Sequence, residues 1–201
     1  MTTEGAQRAL SALRRFAARE GTGPRCDLCS APLGDAHAHL FEPEPRRVAC
    51  ACAACALLFS DATAGRYRRL HSRATRVPSA TLMEDDFRDL ELPVRLAFLS
   101  PSAVHDQVFA VYPNAAGATE SVVPRPAWRA LLARTPALAA MTEDTEGLLI
   151  DHLGGRSRCF VASLDVCYEF VGLLREPSSR RGAAFATAMR FLDGLDGGRR
   201  G

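Results

Sequence analysis

Residues 26–55 read CDLCSAPLGDAHAHLFEPEPRRVACACAAC and contain two C-x2-C pairs, Cys26 with Cys29 and Cys52 with Cys55. Two residues between thiolates let one tight turn aim both sulfurs at a single ion. Two such turns complete a tetrahedron with metal–sulfur distances of about 2.3 Å. The spacing therefore predicts a metal-binding ribbon with these four cysteines as ligands.

Zinc is the predicted metal, because it is the usual occupant of closed sites made of four thiolates. A segment this short has too little apolar surface to fold unaided, so metal binding would supply folding free energy on the order of 10 kcal/mol. The predicted role of the zinc is therefore structural. Iron held by the same four sulfurs, as in a rubredoxin-like electron carrier, is the alternative.

Three further residues of the stretch, Cys50, His37 and His39, carry metal-ligating side chains. Any of them could replace one of the four cysteines as a ligand. The preference of structural sites for four ligands favours the other interpretation, in which Cys50 packs as a small hydrophobe and the histidines hydrogen-bond nearby groups.

The chain of 201 residues divides by pattern into four segments. Residues 1–24 contain an apolar stripe at helical spacing and predict an N-terminal amphipathic helix. Residues 25–60 form the four-cysteine ribbon, the polar residues 61–90 a connector, and residues 91–201 a mixed domain.

Strands and helices are interspersed in residues 91–201. Residues 94–99 and 108–112 are β-rich runs bounded by prolines, and residues 147–153 and 158–162 flank Gly154 and Gly155 as a hairpin would. Helical spacing begins after Pro124, after Ser163 and again around Phe185. Paired strands with helices between and after them predict an α+β fold.

Charge and hydropathy restrict the function classes. The 25 basic residues are all arginines and are nearly balanced by 23 acidic residues, for a net charge of +2. This balance disfavours nucleic acid as a partner, although an arginine-rich segment from Arg66 to Arg76 keeps it as a third hypothesis. Neither a signal peptide nor a membrane-spanning run is evident, so we expect a cytoplasmic protein without membrane insertion.

No catalytic constellation is evident in the sequence, and we expect a protein that is not an enzyme. Glu143, Asp144 and Glu146 lie between a predicted helix and a predicted strand, where carboxylates cap and solvate a turn. Cys159 and Cys167 fall on apolar faces, as core cysteines do.

The order of these features resembles an uncharacterised family found beside actinobacterial nickel–iron hydrogenase genes. The resemblance covers most of residues 25–175 and includes the following stretches: 26–29 (CDLC), 37–40 (HAHL), 50–59 (CACAACALLF), 112–113 (YP), 117–121 (GATES) and 167–173 (CYEFVGL). It implies accessory work in the assembly or operation of a hydrogenase, with a hydrogenase subunit or maturation factor as protein partner. It supplies no catalytic residues.

Overall fold

The computed structural model describes residues 23–59, 65–77, 82–114, 117–155, 157–174 and 181–196. The strands are β1 (Ala38–Glu42), β2 (Arg47–Ala51), β3 (Arg68–Leu70), β4 (Ala74–Val77), β5 (Leu96–Ser102), β6 (Gln107–Asn114), β7 (Gly117–Val122), β8 (Glu146–Asp151) and β9 (Arg158–Ser163). The helices are α1 (Ala53–Leu58), α2 (Glu84–Asp89), α3 (Arg125–Arg134), α4 (Pro136–Ala139), α5 (Leu164–Leu173) and α6 (Arg181–Asp196). The mixture of helices and antiparallel strands confirms the predicted α+β class.

The strands form two antiparallel sheets. The small sheet has the order β2–β1–β3 and contains the hairpin that joins the two cysteine pairs. The large sheet has the order β4–β9–β8–β5–β6–β7. In the small sheet, the register places His39 directly opposite Cys50.

Helices cover both faces of the large sheet. Because successive side chains of a strand point to opposite faces, Leu148 and Ile150 of β8 lie on one face and Leu149 on the other. The first two pack with residues of α2, α3 and α4, whereas Leu149 packs with α5 and α6. Burial on both faces explains why residues 147–150 of β8, between Glu146 and Asp151, show no polar alternation.

The small sheet packs onto the same core as the large one. Phe41 of β1 and Leu70 of β3 are buried in one cluster with Phe98 and Phe160 of the large sheet. Burying a phenylalanine side chain contributes roughly 1.5–3 kcal/mol, so this contact is a substantial part of the stability. The segment that carries the two cysteine pairs is thereby packed against the rest of the fold.

Several predicted elements can be located. The β-rich runs at 94–99 and 108–112 correspond to β5 and β6, which are paired neighbours. The predicted hairpin corresponds to β8 and β9, with Gly154 and Gly155 at φ values of +59° and +78° in its turn. Glycine suits this turn because it adopts positive φ without steric cost.

Residues 61–90, predicted to form a connector, include β3 in the small sheet, β4 at the edge of the large sheet, and α2. Strands of three and four residues are too short to give a periodicity signal.

The amphipathic helix predicted within residues 1–24 falls on positions outside the described residues. Within the described ranges, no helix has both the length and the apolar character needed to cross a membrane.

Candidate metal centre

A tight turn carries the first cysteine pair. The amide of Ser30 donates to the Cys26 carbonyl at 2.8 Å, and the Cys26 amide donates to the Ala31 carbonyl at 2.9 Å. Ser30 has a φ of +61°, so the chain reverses here through the left-handed region. Cys26 is buried by this turn, whereas Cys29 stays exposed.

The start of helix α1 carries the second pair. Cys52 is the N-cap residue of α1, and its Sγ accepts a hydrogen bond from the Cys55 amide at 3.5 Å. The Ala56 amide donates to the Cys52 carbonyl at 2.8 Å. Because residues three apart lie on one side of a helix, the first turn of α1 brings both sulfurs to the same side.

The two turns bring the four sulfurs together. Cys26, Cys29, Cys52 and Cys55 offer ligand atoms that all lie within 4.8 Å of one another, and we name them the four-cysteine cluster. The sulfurs of Cys29 and Cys52 are 3.7 Å apart. A metal bound tetrahedrally by thiolates at 2.3 Å would hold its sulfurs about 3.8 Å apart. The four-cysteine cluster can therefore hold a metal ion after small movements.

Asp27 joins the two halves of the cluster. Its amide donates to the Cys50 carbonyl at 2.9 Å, and its carboxylate accepts from the Cys50 amide at 2.6 Å. This reciprocal pair fixes the first turn against β2, the strand that leads to Cys52. The cysteine spacing gave no indication of this role, because it depends on how the turn meets a strand more than twenty residues away.

The thiols of the cluster differ in acidity. Burial opposes ionisation of Cys26, but hydrogen bonds from the backbone of Cys52, Cys29 and Leu28 lower its pKa to about 6. Burial together with the neighbouring cysteines raises the pKa of Cys55 to about 12. A positive ion placed among the four sulfurs would offset the repulsion between neighbouring thiolates that raises the pKa of Cys55.

The residues predicted as substitute ligands lie together in a separate group. His37, His39 and Cys50 offer ligand atoms within 4.8 Å of one another, and we name them the His–Cys group. His39 also contacts the α+β domain, because its Nδ1 lies 3.0 Å from the Asp165 carboxylate. Burial opposes ionisation of Asp165, yet hydrogen bonds from His39 and two serines lower its pKa to about 2.

Asp144, in the loop before β8, and Glu146, the first residue of β8, accept hydrogen bonds that hold this part of the chain in place. Asp144 accepts from the Ser102 hydroxyl at 2.7 Å and from the Ala103 amide at 3.2 Å, and Glu146 accepts from the Thr142 amide at 2.9 Å. Both carboxylates are buried, contrary to the expectation of a solvated turn: Asp144 pairs with groups at the end of β5, and Glu146 pairs with an amide of its own loop and with Arg73.

The cluster of Ser102, His105 and Asp144 differs from a hydrolytic triad. In a triad the imidazole stands between the hydroxyl and the carboxylate. Here the Ser102 hydroxyl stands between them, 3.1 Å from the His105 Nδ1 and bonded to Asp144. Because the hydroxyl donates its proton to Asp144, the His105 Nδ1 beside it is left to donate to the hydroxyl oxygen instead of accepting its proton.

The two cysteines outside the ribbon are buried in the core. Burial raises the pKa of Cys159 to about 12 and raises that of Cys167 further above its ordinary range. Thiols with raised pKa values are poor nucleophiles at neutral pH. Their environment matches the interpretation of Cys159 and Cys167 as core residues.

Several arginines of the 66–76 segment are paired with carboxylates. The pairs are Arg66 with Glu42, Arg73 with Glu146 at 2.8 Å, and Arg76 with Asp196 at 2.6 Å. These partners come from the small sheet, from β8 and from α6. Each pair reduces the positive field that a nucleic acid would meet at this segment.

The end of α1 carries an exposed apolar surface. Leu57, Leu58 and Phe59 have exposed fractions of 74%, 73% and 45%, and we name these residues the α1 patch. Beside the patch lies a groove of about 510 Å³, in which Phe59 and Tyr67 make an edge-to-face ring contact with centroids 6.3 Å apart. Residues 60–64 follow the patch and lie outside the described residues.

The chain matches a model of a protein family over residues 25–188, and the family is described as a family of unknown function (DUF5947). No curated protein and no solved structure matches the chain. The match includes both cysteine pairs, the His–Cys group and most of the α+β domain.

Proposed function

The chain belongs to the DUF5947 family, and we propose that it is a non-enzymatic scaffold protein whose zinc-binding ribbon presents a docking surface to a protein partner. The observation that carries the proposal is the position of the four-cysteine cluster. Cys52 and Cys55 belong to the N-cap and first turn of α1, the helix that ends in the α1 patch, and Cys26 and Cys29 come from the preceding turn. A metal ion bound there would fix the patch relative to the domain.

Zinc with a structural role is the metal that the cluster fits best. Four sulfurs close the coordination shell, which is the arrangement of structural zinc sites. The ribbon's own core is small: among the described residues, its cluster of buried side chains consists of Cys26, Leu40, Ala51, Cys55 and Ala56. So small a core needs the metal for stability. Iron would use the same sulfurs and would make the protein an electron carrier.

The proposed partner is a protein that covers the α1 patch. Large apolar side chains at the surface of a helix mark interaction sites when they are contiguous. The nature of the partner rests on the resemblance to the family found beside nickel–iron hydrogenase genes, which favours a hydrogenase subunit or maturation factor. A colourless protein with one tightly held zinc is expected.

Elemental analysis and a visible spectrum test the metal. After a wash with EDTA, wild-type protein should retain one zinc per chain without visible absorption, and Cys26→Ser should lose it. Cys159→Ser removes a cysteine outside the ribbon and should keep the zinc. Retained iron with a thiolate-to-metal absorption band would contradict the zinc scaffold and favour the electron-carrier alternative.

Affinity capture from the native host tests the partner. Wild-type protein should retain a hydrogenase subunit or maturation factor, and Leu58→Glu should retain at least tenfold less. Val104→Glu is the matched control, because Val104 is also exposed but lies in the β5–β6 turn. Absence of any hydrogenase-related protein, or equal capture by Leu58→Glu, would contradict the proposed partner.

A further inference from the structure

We infer that the His–Cys group, His37, His39 and Cys50, is a second metal site that binds a divalent ion of the zinc class with one coordination position open to solvent. Its three ligand atoms lie within 4.8 Å of one another and come from the residue just before β1, from β1 itself and from β2. The inference does not depend on the proposed scaffold function, because the four-cysteine cluster uses none of these residues.

The Nε2 atom of His37 is available to bind a metal ion. Its Nδ1 lies 2.9 Å from the Gly34 carbonyl, which can only accept, so Nδ1 carries the proton and Nε2 keeps a free lone pair. Nε2 is buried and has no hydrogen-bond partner among the residues that the structure describes. Buried polar atoms are nearly always paired, and a metal ion would supply the missing partner.

His39 is oriented in the same way. Its Nδ1 lies 3.0 Å from the carboxylate of Asp165, which is buried in the first turn of α5. Hydroxyl groups of Ser72 and Ser163 also donate to this carboxylate. An acceptor at Nδ1 leaves Nε2 for the metal, and carboxylates hold metal-binding histidines in this manner.

Cys50 completes the group from the neighbouring strand. It stands opposite His39 in the β1–β2 register and is half-buried. The two imidazole rings meet edge to face with centroids 4.8 Å apart, so both rings border one space. Two imidazoles and one thiolate suit borderline ions such as Zn²⁺ and Co²⁺.

A cleft gives this site access to solvent. Its volume is about 750 Å³, and it is lined by His37 and His39 together with His71 and Ser72. Three protein ligands leave the fourth position of a zinc-type ion for water or a small anion from the cleft. The ion should therefore exchange faster than one enclosed by four thiolates.

Cobalt titration of the full-length protein tests the site. The metal retained after a wash with EDTA is measured first, and the washed protein should then bind one additional Co²⁺ per chain at a site with a single thiolate, measured by elemental analysis and visible absorption. The thiolate charge-transfer absorption of this cobalt should be about one quarter of that of a four-thiolate cobalt site, because one thiolate binds it.

Variants separate the proposed ligands from their surroundings. His37→Gln and Cys50→Ser should each weaken Co²⁺ binding by about 100-fold or more, while His71→Gln, in the same cleft, should change it by less than about twofold. The metal retained after the EDTA wash reports whether each variant keeps its ribbon folded. If Cys50→Ser loses that metal as well, its ribbon is unfolded, and the Co²⁺ affinity of His37→Gln then tests the site. Absence of additional cobalt in wild-type protein, or undiminished binding in His37→Gln, would overturn the inference.

Discussion

Phe41→Ala is expected to weaken the whole molecule rather than the ribbon alone. Phe41 belongs to the small sheet, yet its side chain is fully buried in the core cluster of the large sheet. Its ring lies 6.3 Å from that of Tyr168 in α5, measured between centroids. Truncation would therefore open a cavity where the ribbon meets the α+β domain, so the two would be destabilised together.

The magnitude follows from burial and cavity formation. Removing most of a fully buried phenylalanine side chain forfeits about 2–3 kcal/mol of transfer free energy, and the cavity adds a further cost. We expect the free energy of unfolding to fall by about 4 kcal/mol. A protein of this size has a total stability on the order of 10 kcal/mol, so the loss is easily measured.

Urea unfolding of zinc-loaded protein provides the assay. Trp128 is the sole tryptophan and lies in the buried cluster on the opposite face of the large sheet. Its fluorescence and the far-ultraviolet circular dichroism should shift to lower urea together. Phe59→Ala, the same change at a partly exposed position of the ribbon, should change stability by about 0.5 kcal/mol or less. An unchanged Trp128 transition in Phe41→Ala would refute the shared core.

Three further predictions concern charges. Arg158→Met should lower the free energy of unfolding in urea by about 3 kcal/mol, because it leaves the buried Asp151 carboxylate without its partner at 2.6 Å. Arg76→Met, the same change in a more exposed ion pair, should lower it by less than about 1 kcal/mol. Burial opposes ionisation of Glu42, but two arginines lower its pKa below the ordinary 4.5. The stability that ionised Glu42 adds is therefore present above pH 4.5 and is lost as the pH falls through its pKa in the folded protein. Unfolding curves of wild type and Glu42→Gln should thus differ most above pH 4.5 and converge in acid; a constant difference would contradict this. Asp27→Ala should weaken zinc retention by about 10- to 100-fold in competition with a chelator, and unchanged retention would show that its bonds to β2 do not position the cluster.

The spacing of the cysteines was sufficient to predict the four-cysteine cluster, because each pair is brought together by local geometry. The hairpin of β8 and β9 was predictable for a similar reason, since its two apolar runs flank Gly154 and Gly155. Local patterns of this kind need no knowledge of the remaining fold.

The His–Cys group was not predictable as a group. The alternation of His37, just before β1, and His39 within it indicates a common side of the chain, but Cys50 joins them only through the β1–β2 register. The carboxylate of Asp165 comes from 126 residues further along the chain. Long-range packing of the small sheet onto α5 therefore sets the orientation of His39, and no local pattern encodes that packing.

The most direct test of the central claim is X-ray absorption at the zinc edge on EDTA-washed wild-type protein. The proposed structural site predicts one zinc per chain with four sulfur neighbours at about 2.3 Å. A shell with nitrogen or oxygen ligands in place of some sulfurs, or the absence of retained zinc, would contradict a closed four-cysteine zinc site.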